Sequence, residues 1–203
     1  MNSRRGQHKG YEAVVIGASA GGTSALREIL PSLPAEFSLP VVVVQHLHPS
    51  SKDDMPALYK DSCQLRVKQA DEKESIAGGC VYFAPPNYHL LAEDNRTFSL
   101  SVDAPVNFSR PSIDVFFESA ADVYGSALIG VVLTGANNDG SVGLRKIKAA
   151  GGAAIVQDPD TAECSSMPDA AIAATSVDYI LPLKDIAAAI IRLATTVTTQ
   201  PDL

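Results

Sequence analysis

Glu12-Ala-Val-Val-Ile16 runs straight into Gly17-Ala-Ser19-Ala-Gly21-Gly22-Thr23, and the reading of this junction decides the fold. A short β-branched run ends at a glycine and turns through small residues. It is followed by Ser24-Ala-Leu-Arg-Glu-Ile-Leu30, where Leu26, Ile29 and Leu30 recur at helical spacing. The order is strand, sharp turn, helix. A serine on such a corner can be held strained at the head of the helix, its hydroxyl outward and backbone N–H groups aimed at the same point, which is what acyl transfer requires. Gly17, Ser19 and Gly21 have the Gly-x-Ser-x-Gly spacing of that elbow. Two other readings compete with it. A dinucleotide loop needs Gly-x-Gly-x-x-Gly, and here its middle glycine is Ser19. Alternatively, the serine is only the helix N-cap.

Outward from this junction, 203 residues of which 46% are hydrophobic suffice for one well-filled domain. Few aromatics and abundant alanine, valine and isoleucine suit parallel strands covered by helices. A net charge of -7 without a concentrated basic face excludes a nucleic-acid binder. The polar Met1 to Gly10 segment has no signal-peptide core and no apolar run reaches a membrane span, so a soluble, cytoplasmic protein without membrane insertion is expected. Cys63, Cys80 and Cys164 are odd in number and unpaired in spacing, which argues for reduced thiols.

Pro40-Val-Val-Val-Val-Gln45 reads as a second strand buried on both faces, and His46-Leu-His48-Pro49 follows it directly. Ser50 or Ser51 is expected to cap a helix reaching about Lys60. Gln64 to Lys68 and Cys80 to Ala84 are strand candidates, and His89-Leu-Leu-Ala92 with Thr97-Phe-Ser-Leu100 forms a hairpin expected to extend the sheet. Ser112 caps a helix to about Tyr124. Strands at Ala127 to Leu133, Ala153 to Val156 and Asp178 to Leu181 alternate with helices from Val142, Met167 and Leu183. The fold predicted is α/β: a doubly wound, mostly parallel sheet with helices on both faces and a small antiparallel β-hairpin. Residues 1–11 read as a flexible segment, 12–194 as the domain and 195–203 as a polar tail.

Three strand ends carry chemistry: Ser19, His46 and Asp139, the last following the Ala127 to Leu133 strand. In a parallel sheet all such ends share one edge, so these residues can meet. Serine needs an imidazole to take its proton, and the imidazole needs a carboxylate to fix its tautomer. The backbone N–H of Ala20 and that of Ala136 are the candidate oxyanion donors. A neutral imidazole base also implies activity that falls below about pH 6 to 7.

The motifs Val15-Ile-Gly-Ala-Ser-Ala-Gly-Gly-Thr23, Val44-Gln-His46, Tyr82-Phe-Ala-Pro85 with His89-Leu90, Arg110-Pro-Ser-Ile-Asp114, Leu133-Thr-Gly-Ala-Asn-Asn-Asp-Gly140 and Gln157-Asp-Pro with Met167-Pro168 together resemble the catalytic domain of the CheB chemotaxis protein-glutamate methylesterases. The likeness spans about Val14 to Leu193. It implies a catalytic triad of Ser19, His46 and Asp139. It also implies hydrolysis of glutamate γ-methyl esters on the cytoplasmic helices of chemoreceptors, with methanol released, and deamidation of receptor glutamines. No metal or cofactor is implied, and the protein substrate is the methyl-accepting receptor.

This chain departs from the family pattern in places. Thr134-Gly-Ala136-Asn137 stands where the family usually has Thr-Gly-Met-Gly, Ala20 replaces a common threonine, and Pro86 a usual glycine. About a dozen residues precede the first strand, too few for the receiver domain of typical members, so the chain is expected to be a stand-alone esterase, one working beside a separate regulatory partner, or a fragment of something longer. Two rival functions remain at this stage. His46 and His48, with Asp53, Asp54, His89 or Asp139, could hold a metal. A non-catalytic binding module on the same fold, its turnover lost with the altered turn, is the other.

Overall fold

The computed structural model describes residues 10–46 and 54–195. Strand β1 spans Ala13–Ala18, β2 Val41–Gln45, β3 Arg66–Gln69, β4 Cys80–Phe83, β5 His89–Ala92, β6 Phe98–Ser101, β7 Leu128–Val132, β8 Ala153–Gln157 and β9 Tyr179–Leu181. The helices are α1 Gly22–Ile29, α2 Ile113–Tyr124, α3 Ser141–Ala149, α4 Ser166–Ala174 and α5 Leu183–Thr195. Seven strands form one parallel sheet in the order β3-β4-β2-β1-β7-β8-β9.

The unbroken valine and isoleucine runs follow from burial on both faces. Val14, Ile16, Val41, Val43 and Ile155 point into a core shared with α1 and α5, while Val15, Val42, Val44 and Val156 point into a second core beneath α2, α3 and α4. Because side chains alternate along a strand, a run that feeds two cores has no polar phase.

Strand β1 is the hinge of the topology. The chain leaves it for β2 on one side and returns to β7 on the other, so the carboxyl ends of β2, β1 and β7 flank the switch point where α/β sheets form a crevice. The register brings Ala18 level with Gln45 and Gly17 level with Val132. Ser19, His46 and the turn after β7 therefore emerge together.

The hairpin departs from expectation. β5 and β6 pair antiparallel as a separate two-stranded sheet rather than lengthening the main one. Its apolar face, with Leu90 and Phe98 fully buried, packs into the α2 core, and the Ala92 N–H donates to Ser119 Oγ on α2 at 3.1 Å. Apolar burial against a helix satisfied the hairpin where alternation alone suggested edge pairing. Of the helix expected from Ser50 or Ser51, residues 47–53 lie outside the described part, and the remainder shows only a 3-10 turn at Pro56–Leu58. Thr195, placed in the tail by sequence, ends α5, and 196–203 lie outside the described residues.

Candidate active site

The corner after β1 is pinned from both sides. The Ser19 N–H donates to the Thr134 carbonyl at 3.0 Å, and the His46 N–H donates to the Ala18 carbonyl at 3.0 Å. The buried Gln45 amide donates to the carbonyls of both Ser19 and His46, each at 2.9 Å, tying the two residues to one side chain. Thr134 Oγ1 donates to the Ala20 carbonyl at 2.8 Å and accepts the Cys164 N–H at 2.9 Å. Gln157 holds Thr134 in turn, its Oε1 accepting the Thr134 N–H at 2.9 Å. The backbone of Cys164 is thus a structural part of the corner.

Ser19 is not the cap of α1, which is Gly21 at φ 77° with no side-chain cap bond. The sequence expectation of a strained serine corner is not met in the backbone: Ser19 is not among the residues of positive φ, and the left-handed turn is taken by Gly21. Ser19 is half-buried, and its hydroxyl makes no hydrogen bond to a described residue. Ala20 and Ala136 are exposed residues, and their N–H groups are likewise unbonded among the described residues. Both can therefore donate to a ligand.

Asp139 is 1% exposed, and its carboxylate is fully engaged. His46 Nε2–H donates to Oδ2 at 2.8 Å, joined there by the Ile113 N–H at 2.7 Å. Oδ1 accepts from Ser112 Oγ at 2.9 Å, Asn107 Nδ2 at 2.9 Å and the Asp114 N–H at 3.1 Å. The carboxylate sits at the N-terminus of α2, where unpaired N–H groups and the helix dipole favour an anion. Two glycines permit this approach. A Cβ on Gly17 would stand 2.4 Å from Ile113 Cγ2 and one on Gly140 2.8 Å from the same atom, so side chains there would push α2 off the carboxylate. Gly140 also takes φ 93°.

A second carboxylate answers the first. Asp114, in the opening turn of α2, accepts the Gly143 N–H in the opening turn of α3 at 2.7 Å, and Asn107 Nδ2 at 2.9 Å. Each helix thus receives an aspartate from the other's first turn or the turn leading into it, and Asn107 bridges the two carboxylates. Asn107 reaches them from a tight loop in which it and Phe108 adopt φ of 51° and 60°, a region non-glycine residues seldom occupy and asparagine tolerates best. His89, at 2% exposure, accepts the Ser112 N–H on Nδ1 at 3.2 Å and donates from Nε2 to the Ala104 carbonyl at 3.1 Å. It supports the wall of the site and is no ligand.

Burial favours the neutral acid in both aspartates, but the outcomes differ. At Asp139 the bonds from His46, Asn107 and the Ile113 amide outweigh burial, and the carboxyl is lowered to about 2. At Asp114 burial prevails, helped by the charge of Asp139, and the carboxyl is raised from 3.8 to about 6. The two contributions to stability have opposite sign. That of Asp139 is present above about pH 4 and lost as pH falls towards 2; that of Asp114 is full below about pH 4 and lost as pH rises through 6. Denaturant unfolding between pH 4 and 7.5 is therefore expected to show a decline on the order of 2 kcal/mol that Asp114→Asn flattens.

Among the described residues no group of three or more histidine, cysteine or acidic side chains could hold a metal ion. His48 and Asp53 of the rival metal set lie outside the described residues, and His89 is committed to its own partners. A cleft lined by Glu72, Lys73, Glu93, Asp94, Asn95, Thr97, Phe98 and Ser99 includes none of the residues around Asp139, so it is separate from this site.

The CheB methylesterase family profile matches residues 14–190. The chain belongs to the CheB methylesterase family. A Leptospira interrogans protein provisionally named a protein-glutamate methylesterase/protein-glutamine glutaminase is 57% identical over 183 residues, covering 90% of this chain and 95% of that protein. A Carboxydothermus hydrogenoformans protein-glutamate methylesterase/protein-glutamine glutaminase is 39% identical over 183 residues, covering 88% of this chain and 54% of that one. The CheB methylesterase catalytic domain of Thermotoga maritima superposes with a TM-score of 0.86 at 36% identity, covering 91% of this chain and all of that one. The CheB likeness thus extends from motif to backbone, and the parallel sheet with its separate hairpin is the fold of that catalytic domain.

Sequence reading placed Ser19, His46 and Asp139 at one edge; the structure joins His46 to Asp139 and sets Ser19 on the adjoining strand end. It passed over Asn107 and took Ser112 only as a cap and Asp114 only as part of a motif. Ser112 does accept the Val115 N–H at 3.5 Å as the N-cap of α2. An asparagine in a short loop shortly before a capped helix was the available signal for Asn107.

Proposed function

We propose that this chain is a serine hydrolase that removes methyl groups from glutamate γ-methyl esters of chemoreceptors, releasing methanol, and that also deamidates receptor glutamines. Ser19 is the nucleophile, His46 the base and Asp139 the group that orients the base. The observation that carries this reading is the 2.8 Å bond from His46 Nε2 to a buried, ionised Asp139 beside the Ser19 corner. Because Nε2–H faces the carboxylate, the lone pair lies on Nδ1, which is therefore the nitrogen that takes the Ser19 proton.

The serine oxygen attacks the ester carbonyl as its proton passes to Nδ1. The oxyanion is received by the N–H groups of Ala20 and Ala136, one such donor being worth about 100- to 1,000-fold in rate. Proton return from Nδ1 expels methanol, and water repeats the sequence on the acyl-serine. The family membership and the names of the relatives support the substrate class. A cytoplasmic setting accords with a receptor substrate, and among the described residues no helix is long and apolar enough to cross a membrane.

The test is methanol release from a methyl-esterified receptor cytoplasmic fragment. Turnover is expected, and it should persist in excess EDTA, since each step above is assigned to side chains and backbone of the chain itself. Loss of activity on chelation, restored by added metal, would overturn this mechanism; no methanol above background would favour the binding module.

A further inference from the structure

Asn137 lies against the free nitrogen of the imidazole. Its Nδ2 stands 3.5 Å from His46 Nδ1. The orientation of the amide is set by the backbone, because the Asp139 N–H donates to Asn137 Oδ1 at 3.0 Å and the NH2 end must then face the ring. At 3.5 Å the contact with Nδ1 is at the outer limit of a hydrogen bond, so these N–H groups remain available to a ligand. The side chain is half-buried, at the nitrogen where a leaving group collects its proton.

We infer that Asn137 selects the leaving group, favouring the alkoxy oxygen of an ester over the nitrogen of a primary amide. This rests on the methylesterase reading and adds to it a specificity within the same site. When the tetrahedral adduct on Ser19 collapses, the bond from carbon to methoxy oxygen breaks and its electron pair stays on that oxygen. The oxygen takes the proton from His46 Nδ1 and departs as methanol, leaving the acyl-serine. A departing oxygen has a further lone pair, which accepts an Asn137 N–H as negative charge builds on it.

A glutamine side chain presents a different atom at this place. The leaving nitrogen has a single lone pair, which takes the His46 proton, and its own N–H groups meet the Asn137 NH2 donor to donor. The amide therefore stabilises one departure and is mismatched with the other. Discrimination of this kind is strong where a polar group must be left unpaired.

The experiment uses the whole chain and two receptor fragments carrying a glutamate methyl ester or a glutamine at the same position, with methanol and ammonia measured. Asn137→Gly removes the amide. Asn137→Asp keeps an acceptor for the Asp139 N–H but places oxygen where the NH2 stood. In both variants methanol kcat/KM should fall about tenfold or more while ammonia release falls much less, so the ammonia-to-methanol ratio rises by about that factor. A ratio unchanged in both variants, with wild-type methanol release intact and dependent on Ser19, overturns the role of Asn137 alone. No methanol from the wild-type protein overturns the esterase reading and this role with it.

Discussion

Ser19→Ala is expected to cut methanol release on the order of 100,000-fold or more, and His46→Ala to match it, because nucleophile and base act as a unit and neither retains its function without the other. The fold should survive the serine change. The Ser19 hydroxyl has no partner among the described residues, and the bonds that hold the corner run through its backbone N–H and carbonyl. Thermal unfolding of Ser19→Ala within about 2 °C of wild type, together with lost turnover, is the expected pair of results. Retained turnover in that variant would remove the nucleophile from the mechanism.

Asp139→Asn is expected to lose about 10,000-fold in activity and to be less stable as well. From the described residues the carboxylate accepts five hydrogen bonds, two at Oδ2 and three at Oδ1. An amide offers one oxygen and one NH2, so wherever the NH2 points it meets the donors gathered there. If it faces Oδ2's former partners, His46 must adopt the other tautomer and Nδ1 no longer carries the lone pair. A destabilisation of about 2 to 3 kcal/mol follows from the buried donors left unmatched, or a fall in Tm of roughly 5 to 10 °C for a domain of this size. A variant that lost activity while keeping the wild-type Tm would show the donors finding other partners.

The two-core sheet was legible because valine runs with no polar phase admit few other interpretations, and the glycine and serine corner marked where the first crossover turns. The three strand-end residues were legible for the same reason, since parallel strands deliver their ends to one edge. What escaped was whatever depends on the approach of one helix to another. Asp114 in Arg110-Pro-Ser-Ile-Asp114 looks like an ordinary first-turn acid, and only the packing of α2 on α3 makes it the partner of the Gly143 N–H. The hairpin's independence was hidden similarly, because alternation in β5 and β6 states which face is apolar but not what covers it. The strain at Asn107 belongs to a loop whose purpose appears only when the two carboxylates it bridges are seen together.

The exchange of aspartates between α2 and α3 makes the region to which the proposed mechanism assigns the chemistry also a clasp on the architecture. A lineage that gave up turnover could shed Ser19 freely, yet would still be held to Asp139 by the need to stay folded. An intact aspartate in a relative is therefore poor testimony that the relative is an enzyme, and the serine is the residue to inspect.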